Sequence, residues 1–163
     1  MELYFLRHGQ AVEKDAGGFR NDAERPLALQ GLKQMERTGE GMRRLGFSFD
    51  KVFSSPYLRA RQTAQAVVKG LKENVKIEPS ECLVPDADFK DFCGFLKKTR
   101  VGKRVLLVGH EPSLGTFVSR LISGGDHAKI DIRKGSLCRV DVFEEENACR
   151  GELKWLLIPE IFR

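Results

Sequence analysis

The chain has 163 residues, 41% of them hydrophobic and 31% charged, which predicts one domain over residues 1–163 with an ordinary hydrophobic core. No apolar run reaches the roughly 18 residues of a membrane span, and charge appears too early for a signal peptide, so we expect a cytoplasmic protein that does not bind membranes. The net charge of +5 comes from basic residues mixed with acidic ones and without interleaved aromatic rings, which argues against nucleic acid and suits an anionic substrate.

Short apolar segments alternate with segments of helical periodicity along most of the chain. Strands are predicted at residues 3–6, 51–53, 75–78, 104–108, 137–143 and 153–158, and helices at residues 30–45, 56–72, 88–98 and 114–122. The strand at 104–108 is apolar at positions 105–108, as expected of a central parallel strand that helices cover on both faces. The last two strands, joined by a polar loop at 144–151, should form an antiparallel hairpin. The predicted fold is α/β, a three-layer sandwich with a mostly parallel mixed sheet between helices.

The four cysteines, Cys82, Cys93, Cys138 and Cys149, are widely spaced and include no Cys-x-x-Cys pair. This spacing favours reduced, structural cysteines over a zinc site or a dithiol redox site.

Ligands of open α/β sheets bind beyond the carboxyl ends of the strands, so the residues that follow each strand are the first candidates for a site. The first strand runs directly into Arg7-His8-Gly9. A guanidinium and an imidazole stand there beside a glycine that allows the backbone to approach a ligand closely. Alone, a histidine beside an arginine is weak evidence for a catalytic site, because such pairs are common on protein surfaces.

The second strand is followed by residues 54–64, which contain Ser55, Pro56 and Arg59. Serine before proline is typical of a helix N-terminus, with the serine as N-cap, and this places Arg59 in the first turn near the strand ends. Free N–H groups and an arginine fork at such a place suit phosphate. The alternative is a solvated Arg59, and we expect Arg61 to be solvated.

The fourth predicted strand ends in Gly109-His110, another imidazole between a strand and a helix. A buried histidine bonded to a backbone carbonyl is the alternative for His110, but three such residues at three strand ends together favour an oxyanion site. His127 lies in a polar turn and should be solvated. The histidines could in principle hold a metal, yet Arg7 and Arg59 would repel a cation, so we predict neither a metal nor a cofactor.

These segments, in this order, resemble the signature of the histidine phosphatase superfamily, also called phosphoglycerate mutase-like. The matching segments are Arg7-His8-Gly9, residues 54–64 and Gly109-His110, and residues 25–31 resemble the Pro-Leu-Thr-x-x-Gly helix entry of the family with alanine in place of threonine. The resemblance spans nearly the whole chain and implies a phosphoglycerate mutase-like fold.

The resemblance implies that His8 is the nucleophile and that Arg7, Arg59 and His110 bind the phosphoryl group. These roles agree with the chemistry, because phosphoryl transfer depends on positioning and on fixed positive groups around three oxygens. His8 must be neutral to attack, and the cationic groups beside it should disfavour its protonation.

The chain has no long segment between Arg59 and His110 that could form a lid, and this compact form resembles the SixA-type phosphohistidine phosphatases. An open pocket can admit a phosphorylated side chain on a folded protein. Mutases and many ester phosphatases of the family carry a Leu-x-Glu acid, which aligns here with Leu83-Val84-Pro85. A nitrogen leaving group can carry its own proton, so the missing acid favours phosphohistidine as substrate.

Other carboxylates could supply a proton, namely Glu111, Asp86 and Asp88, although each could equally be a solvated or capping residue. Lys134 could lie beside the pocket, but a solvated loop lysine is the simpler interpretation. Two other functions stay open: a phosphatase of small phosphoesters, and a module that binds a phosphorylated partner without turnover.

Overall fold

The computed structural model describes residues 1–98, 103–145 and 148–162, and within them a six-stranded sheet is flanked by helices on both faces. The strands are β1 (Glu2–Arg7), β2 (Lys51–Ser54), β3 (Ile77–Pro79), β4 (Arg104–Gly109), β5 (Leu137–Glu145) and β6 (Ala148–Leu157). The α-helices are α1 (Leu29–Arg44), α2 (Leu58–Leu71), α3 (Phe89–Lys98) and α4 (Ser113–Ser123). None of the helices in the described segments is long and apolar enough to cross a membrane.

The sheet is mixed, with strand order β3-β2-β4-β1-β5-β6. β1, β2, β3 and β4 pair in parallel, whereas β5 runs antiparallel to both β1 and β6. The predicted central strand is confirmed, because residues 105–109 of β4 are all buried between the two helical layers. The α/β three-layer prediction is therefore confirmed.

The register of the parallel strands brings their carboxyl ends to one level. Arg7 of β1 stands opposite Gly109 of β4, and Ser54 of β2 stands opposite Val108. The backbone ladder continues one residue further, since His8 N donates to Gly109 O at 3.0 Å. The residues that follow these three strands are thus neighbours at one edge of the sheet.

Two apolar layers hold the helices against the sheet, and the period of two along β1 decides which layer each residue joins. Phe5 packs with Phe92 of α3 and Phe117 of α4, whereas Leu6 packs on the opposite face with the side chains of α1 and α2. α1 and α2 approach so closely that a Cβ atom on Gly39 would lie 2.3 Å from a backbone oxygen of α2. Glycine at this position is what permits the contact.

Several predicted boundaries were wrong. Strand β3 begins at Ile77 and not at residue 75. Helix α2 begins at Leu58 and not at Pro56, because the Ser55 hydroxyl accepts the N–H of Tyr57 at 3.3 Å and forms a turn ahead of the helix. The loop predicted at residues 144–151 is mostly strand, since β5 continues to Glu145 and β6 starts at Ala148. A hairpin at the edge of a sheet needs backbone pairing but not apolar side chains on its outer face. Polar side chains are therefore a poor indication of where its strands end. Residues 146 and 147 of that loop lie outside the described residues.

Candidate active site

The structure brings His8, Arg59 and His110 together at the carboxyl edge of the sheet. All three side chains are buried, with exposed fractions of 6%, 3% and 1% in that order. The ring centroids of the two histidines are 4.9 Å apart. Burial of three basic side chains in one cluster is unusual unless an anion is to be bound there.

The hydrogen bonds of His8 define its tautomer. Nδ1 lies 2.7 Å from the carbonyl oxygen of Gly9, and because a carbonyl can only accept, Nδ1 carries the proton. Nε2 therefore holds a lone pair, toward which Arg59 Nε donates at 3.3 Å. Gly9 is fixed in turn, since its own N–H donates to Thr63 Oγ1 at 3.1 Å.

The imidazole of His8 is held neutral. Its pKa is lowered to about 3, chiefly by burial; the hydrogen bond to Gly9 acts against this, and the positive charges of Arg59, Arg7 and Lys134 add to it. The direction agrees with the expectation from the sequence, but burial is a larger cause than the neighbouring cations. A neutral ring whose Nε2 carries no proton is chemically competent as a nucleophile once a phosphoryl group displaces the hydrogen bond from Arg59.

The ring of His110, which lies beside that of His8, has one nitrogen that is hydrogen-bonded and one that is not. Its Nε2 lies 2.9 Å from Ser55 Oγ, and that hydroxyl has no other acceptor for its proton among the described residues, so Ser55 donates to Nε2. The ring proton is then on Nδ1, which is buried and unpartnered in the part of the chain that is described. Burial is the largest cause that lowers the pKa of His110 to about 2, followed by the neighbouring His8, which disfavours a second positive ring beside it, and by the charge of Arg59.

Arg59 lies in the first turn of α2, as predicted, and its side chain is buried and not solvated. Besides the contact with His8, its Nη1 donates to the carbonyl oxygen of Asp22 at 2.6 Å and its Nη2 to the Asp22 carboxylate at 2.8 Å. The guanidinium also lies over the ring of Tyr57, 5.1 Å from its centroid. Together these contacts hold the guanidinium in one orientation.

Asp22 was missed by the sequence analysis. It lies in a short 3-10 helix, Asp22–Glu24, and its carboxylate also accepts from Arg25 Nε at 3.0 Å. Burial acts to raise the pKa of Asp22, but its hydrogen bonds and charge interactions with Arg59 and Arg25 bring it below the ordinary value. The sequence gives one weak indication of the contact between Asp22 and Arg59: Asp22 stands three residues before Arg25, at the start of the family-like segment 25–31.

Arg7 lies at the rim of this cluster. Its Nη1 donates to the carbonyl oxygen of Ile132 at 2.9 Å, and its Nε is buried without a partner among the described atoms. The charge of Arg7 also acts on both His8 and Glu111. Arg7 thus retains a free donor that a ligand oxygen could use.

The carboxylates considered as proton donors occupy different environments. Glu111 is half-buried; its Oε2 accepts from Gly115 N at 3.3 Å, while Oε1 is buried and unpartnered within the described chain. Burial raises the pKa of Glu111, with Arg7 acting in the opposite direction. Asp88 caps α3 by accepting two backbone N–H groups of its first turn, and Asp86 is exposed.

Three further residues lie where the sequence indicated. Arg61 and His127 are exposed, and Lys134 is an exposed loop residue. Lys134 is nevertheless close enough to the cluster for its charge to lower the pKa of His8.

Comparison with known proteins gives the same family as the sequence motifs. The model of the histidine phosphatase superfamily (branch 1) matches residues 3–83. The phosphohistidine phosphatase SixA homolog of Haemophilus influenzae is 30% identical over 130 residues, which are 74% of this chain and 77% of that protein. Phosphohistidine phosphatase SixA of Escherichia coli is 29% identical over 126 residues, 76% of each chain.

A solved structure of the protein histidine phosphatase SixA complexed with tungstate superimposes with a TM-score of 0.84 at 23% identity and covers 100% of both chains. This likeness shows a common fold. Together with the two curated relatives and the family model, it establishes that the chain belongs to the histidine phosphatase superfamily and is SixA-like.

Proposed function

We propose that this protein is a phosphatase that removes the phosphoryl group from phosphohistidine on a protein, by way of a transient phosphoryl group on His8. The observation that carries this proposal is the buried, neutral His8, whose Nε2 lone pair faces Arg59 and lies beside the ring of His110. Membership of the superfamily supports phosphatase activity, and the SixA relatives support phosphohistidine as the substrate.

In the first step, His8 Nε2 attacks phosphorus and the substrate's N–P bond breaks, with its electron pair going to the leaving imidazole nitrogen. Three groups can hold the phosphoryl oxygens: Arg59 Nε, the proton on His110 Nδ1 and the free Nε of Arg7. Fixed donors of this kind stabilise the charge that is spread over the oxygens in the transition state. Water then attacks the phosphorus of phospho-His8 and the P–N bond breaks, with its electron pair returning to Nε2. The proton lost by the water leaves on the released phosphate, and His8 is again neutral.

The surroundings of the leaving group favour cleavage of a phosphorus–nitrogen bond. The Leu83-Val84-Pro85 segment, which takes the place of the Leu-x-Glu acid, is held against α4 because Ser113 Oγ donates to the carbonyl oxygens of Val84 and Pro85. An alkoxide leaving group needs a proton at this stage, whereas the imidazole of phosphohistidine leaves as a neutral ring when its other ring nitrogen already carries a proton. A phosphorylated protein side chain is therefore the proposed substrate.

The raised pKa of Glu111 favours a second candidate function, the hydrolysis of small phosphoesters with Glu111 as the acid. The two candidate functions can be distinguished by comparing kcat/KM for a histidine-phosphorylated domain with kcat/KM for a panel of sugar phosphates and nucleotides. His8→Asn serves as the inactive control. We expect the highest value for phosphohistidine. A higher kcat/KM for any ester would overturn the proposal.

A further inference from the structure

A concave surface beside the site carries positive charge that the proposed chemistry does not use. A cavity of about 440 Å³ lies between α1 and the C-terminal residues, and its wall includes Gln10, Lys33, Gln34 and Arg37. A neighbouring cavity of about 350 Å³ shares Gln10 and Gln34 with the first and adds Arg133 and Lys134. We call the surface formed by these six residues the basic groove.

The helical period explains how one side of α1 becomes basic. Gln30, Lys33, Gln34 and Arg37 recur at intervals of three and four residues and therefore share one face of the helix. The nearest acid, Glu36, is turned to the other side and pairs with Lys69 of α2 at 2.8 Å. Apart from the exposed Leu29 at its first position, the face of α1 that lines the groove thus carries only cations and amides.

The groove leads into the catalytic cluster. Gln10 follows His8 by two residues, and the second cavity is also lined by Arg7. Lys134 is close enough to His8 for its charge to lower the pKa of that ring. A chain bound in the groove would therefore be continuous with a phosphoryl group at His8.

The cations of the groove are not neutralised by the protein. Lys33, Arg37, Arg133 and Lys134 are exposed, and no ion pair is formed by any of them within the described ranges. Glu160 is the single acidic residue among those that line the two cavities. Exposed charges of one sign beside a site attract a partner of the opposite sign.

We propose that the basic groove binds an acidic stretch of polypeptide next to the phosphohistidine of the protein substrate. This inference rests on the proposed function and assigns the source of protein specificity to Lys33, Arg37, Arg133 and Lys134. The side-chain amides of Gln10 and Gln34 can donate and accept hydrogen bonds with a peptide backbone. The groove offers no exposed aromatic ring for base stacking, since Phe162 in its wall is buried, which favours polypeptide over nucleic acid.

The test uses two synthetic peptides of equal length with a central histidine, flanked by glutamates in one and by glutamines in the other. Phosphorylated forms are compared by kcat/KM at low salt, with potassium phosphoramidate as a small substrate that cannot reach the groove. For the wild-type protein we expect an advantage of about tenfold for the glutamate peptide, as two exposed ion pairs can supply. Lys33→Glu with Arg37→Glu should abolish this advantage and leave phosphoramidate turnover unchanged.

A matched control carries the same charge change elsewhere. Lys76→Glu with Lys97→Glu alters two exposed lysines, one directly before β3 and one near the end of α3, and should keep the preference. Arg37→Gln is a milder change to the groove, and we expect it to reduce the kcat/KM advantage of the glutamate peptide by less than the double variant does. A preference that survives in the Lys33→Glu/Arg37→Glu protein, or equal kcat/KM for both peptides in the wild type, would overturn the inference.

Binding of the unphosphorylated, fluorescein-labelled peptides to wild-type protein separates this inference from the proposed function, because it does not require turnover. Tighter binding of the glutamate peptide that the groove variant loses supports the groove even if phosphohistidine is not hydrolysed. Equal binding of both peptides contradicts it. Tighter binding of an oligothymidine than of the glutamate peptide would assign the groove to nucleic acid instead.

Discussion

Replacing His8 by asparagine should make the stability of the protein less sensitive to acid. In the folded protein burial lowers the pKa of His8 to about 3, whereas in the unfolded chain the ring has its ordinary value of 6.5. Between these values the unfolded chain binds a proton that the folded protein does not. Stability is therefore lost as the pH falls below 6.5, and the loss from this residue levels off near pH 3.

The size of the effect follows from the two pKa values. Between about pH 7 and about pH 4.5, His8 should cost the wild-type protein about 2.5 kcal/mol of unfolding free energy, at about 1.4 kcal/mol per pH unit over most of that interval. Asparagine does not titrate, and its amide can replace the Nδ1 donor to the carbonyl oxygen of Gly9. The variant should therefore lose less unfolding free energy on acidification than the wild type. The loss that is due to His110 should remain.

Urea denaturation of wild type and His8→Asn at both pH values measures the difference directly. The exposed His127 offers a matched control, because His127→Asn removes an imidazole that is in solvent before and after unfolding. Equal pH dependence of the wild type and His8→Asn would refute the reasoning, since His8 would then have the same proton affinity in both states.

Three further predictions concern the supports of the site. Ser55→Ala should lower kcat by about tenfold or more, because His110 loses the hydroxyl that directs its proton to Nδ1; an unchanged kcat and ring tautomer, read by nitrogen NMR, would contradict it. Asp22→Asn should reduce kcat/KM several-fold with the fold intact, because the hydrogen bonds that orient Arg59 weaken, and Asp22→Glu should recover part of the loss. Gly39→Ala should destabilise the protein by about 2 kcal/mol or more, since its Cβ would clash with a backbone oxygen of α2; a denaturation midpoint equal to that of wild type would count against this packing.

The sequence was sufficient to predict the edge of the sheet where the cluster lies. Apolar segments predict strands, parallel strands end at a common edge, and the residues directly after them, His8 and His110, must then be neighbours. Arg59 was predictable for the same reason, because its position in the first turn of a helix follows from the strand–turn–helix pattern. Local patterns and one topological rule are enough for these three.

Contacts between distant segments were not predictable in this way. The carboxylate of Asp22 reaches Arg59 from 37 residues away, through a loop whose path no periodicity describes. Ser55 fits the pattern of a helix cap, yet its hydroxyl contacts the ring of His110. The main cause of the low pKa of His8 is burial, which depends on how distant parts of the chain pack around the ring and not on the charged neighbours that the sequence displays.

The central claim is that the phosphoryl group passes through His8, and trapping that intermediate tests it most directly. Wild-type protein mixed briefly with radiolabelled phosphoramidate and denatured in alkali, which preserves phosphohistidine, should carry label on the peptide that contains His8. His8→Asn should carry none and should not turn over substrate. Turnover by His8→Asn, or label on a peptide without His8, would contradict the account.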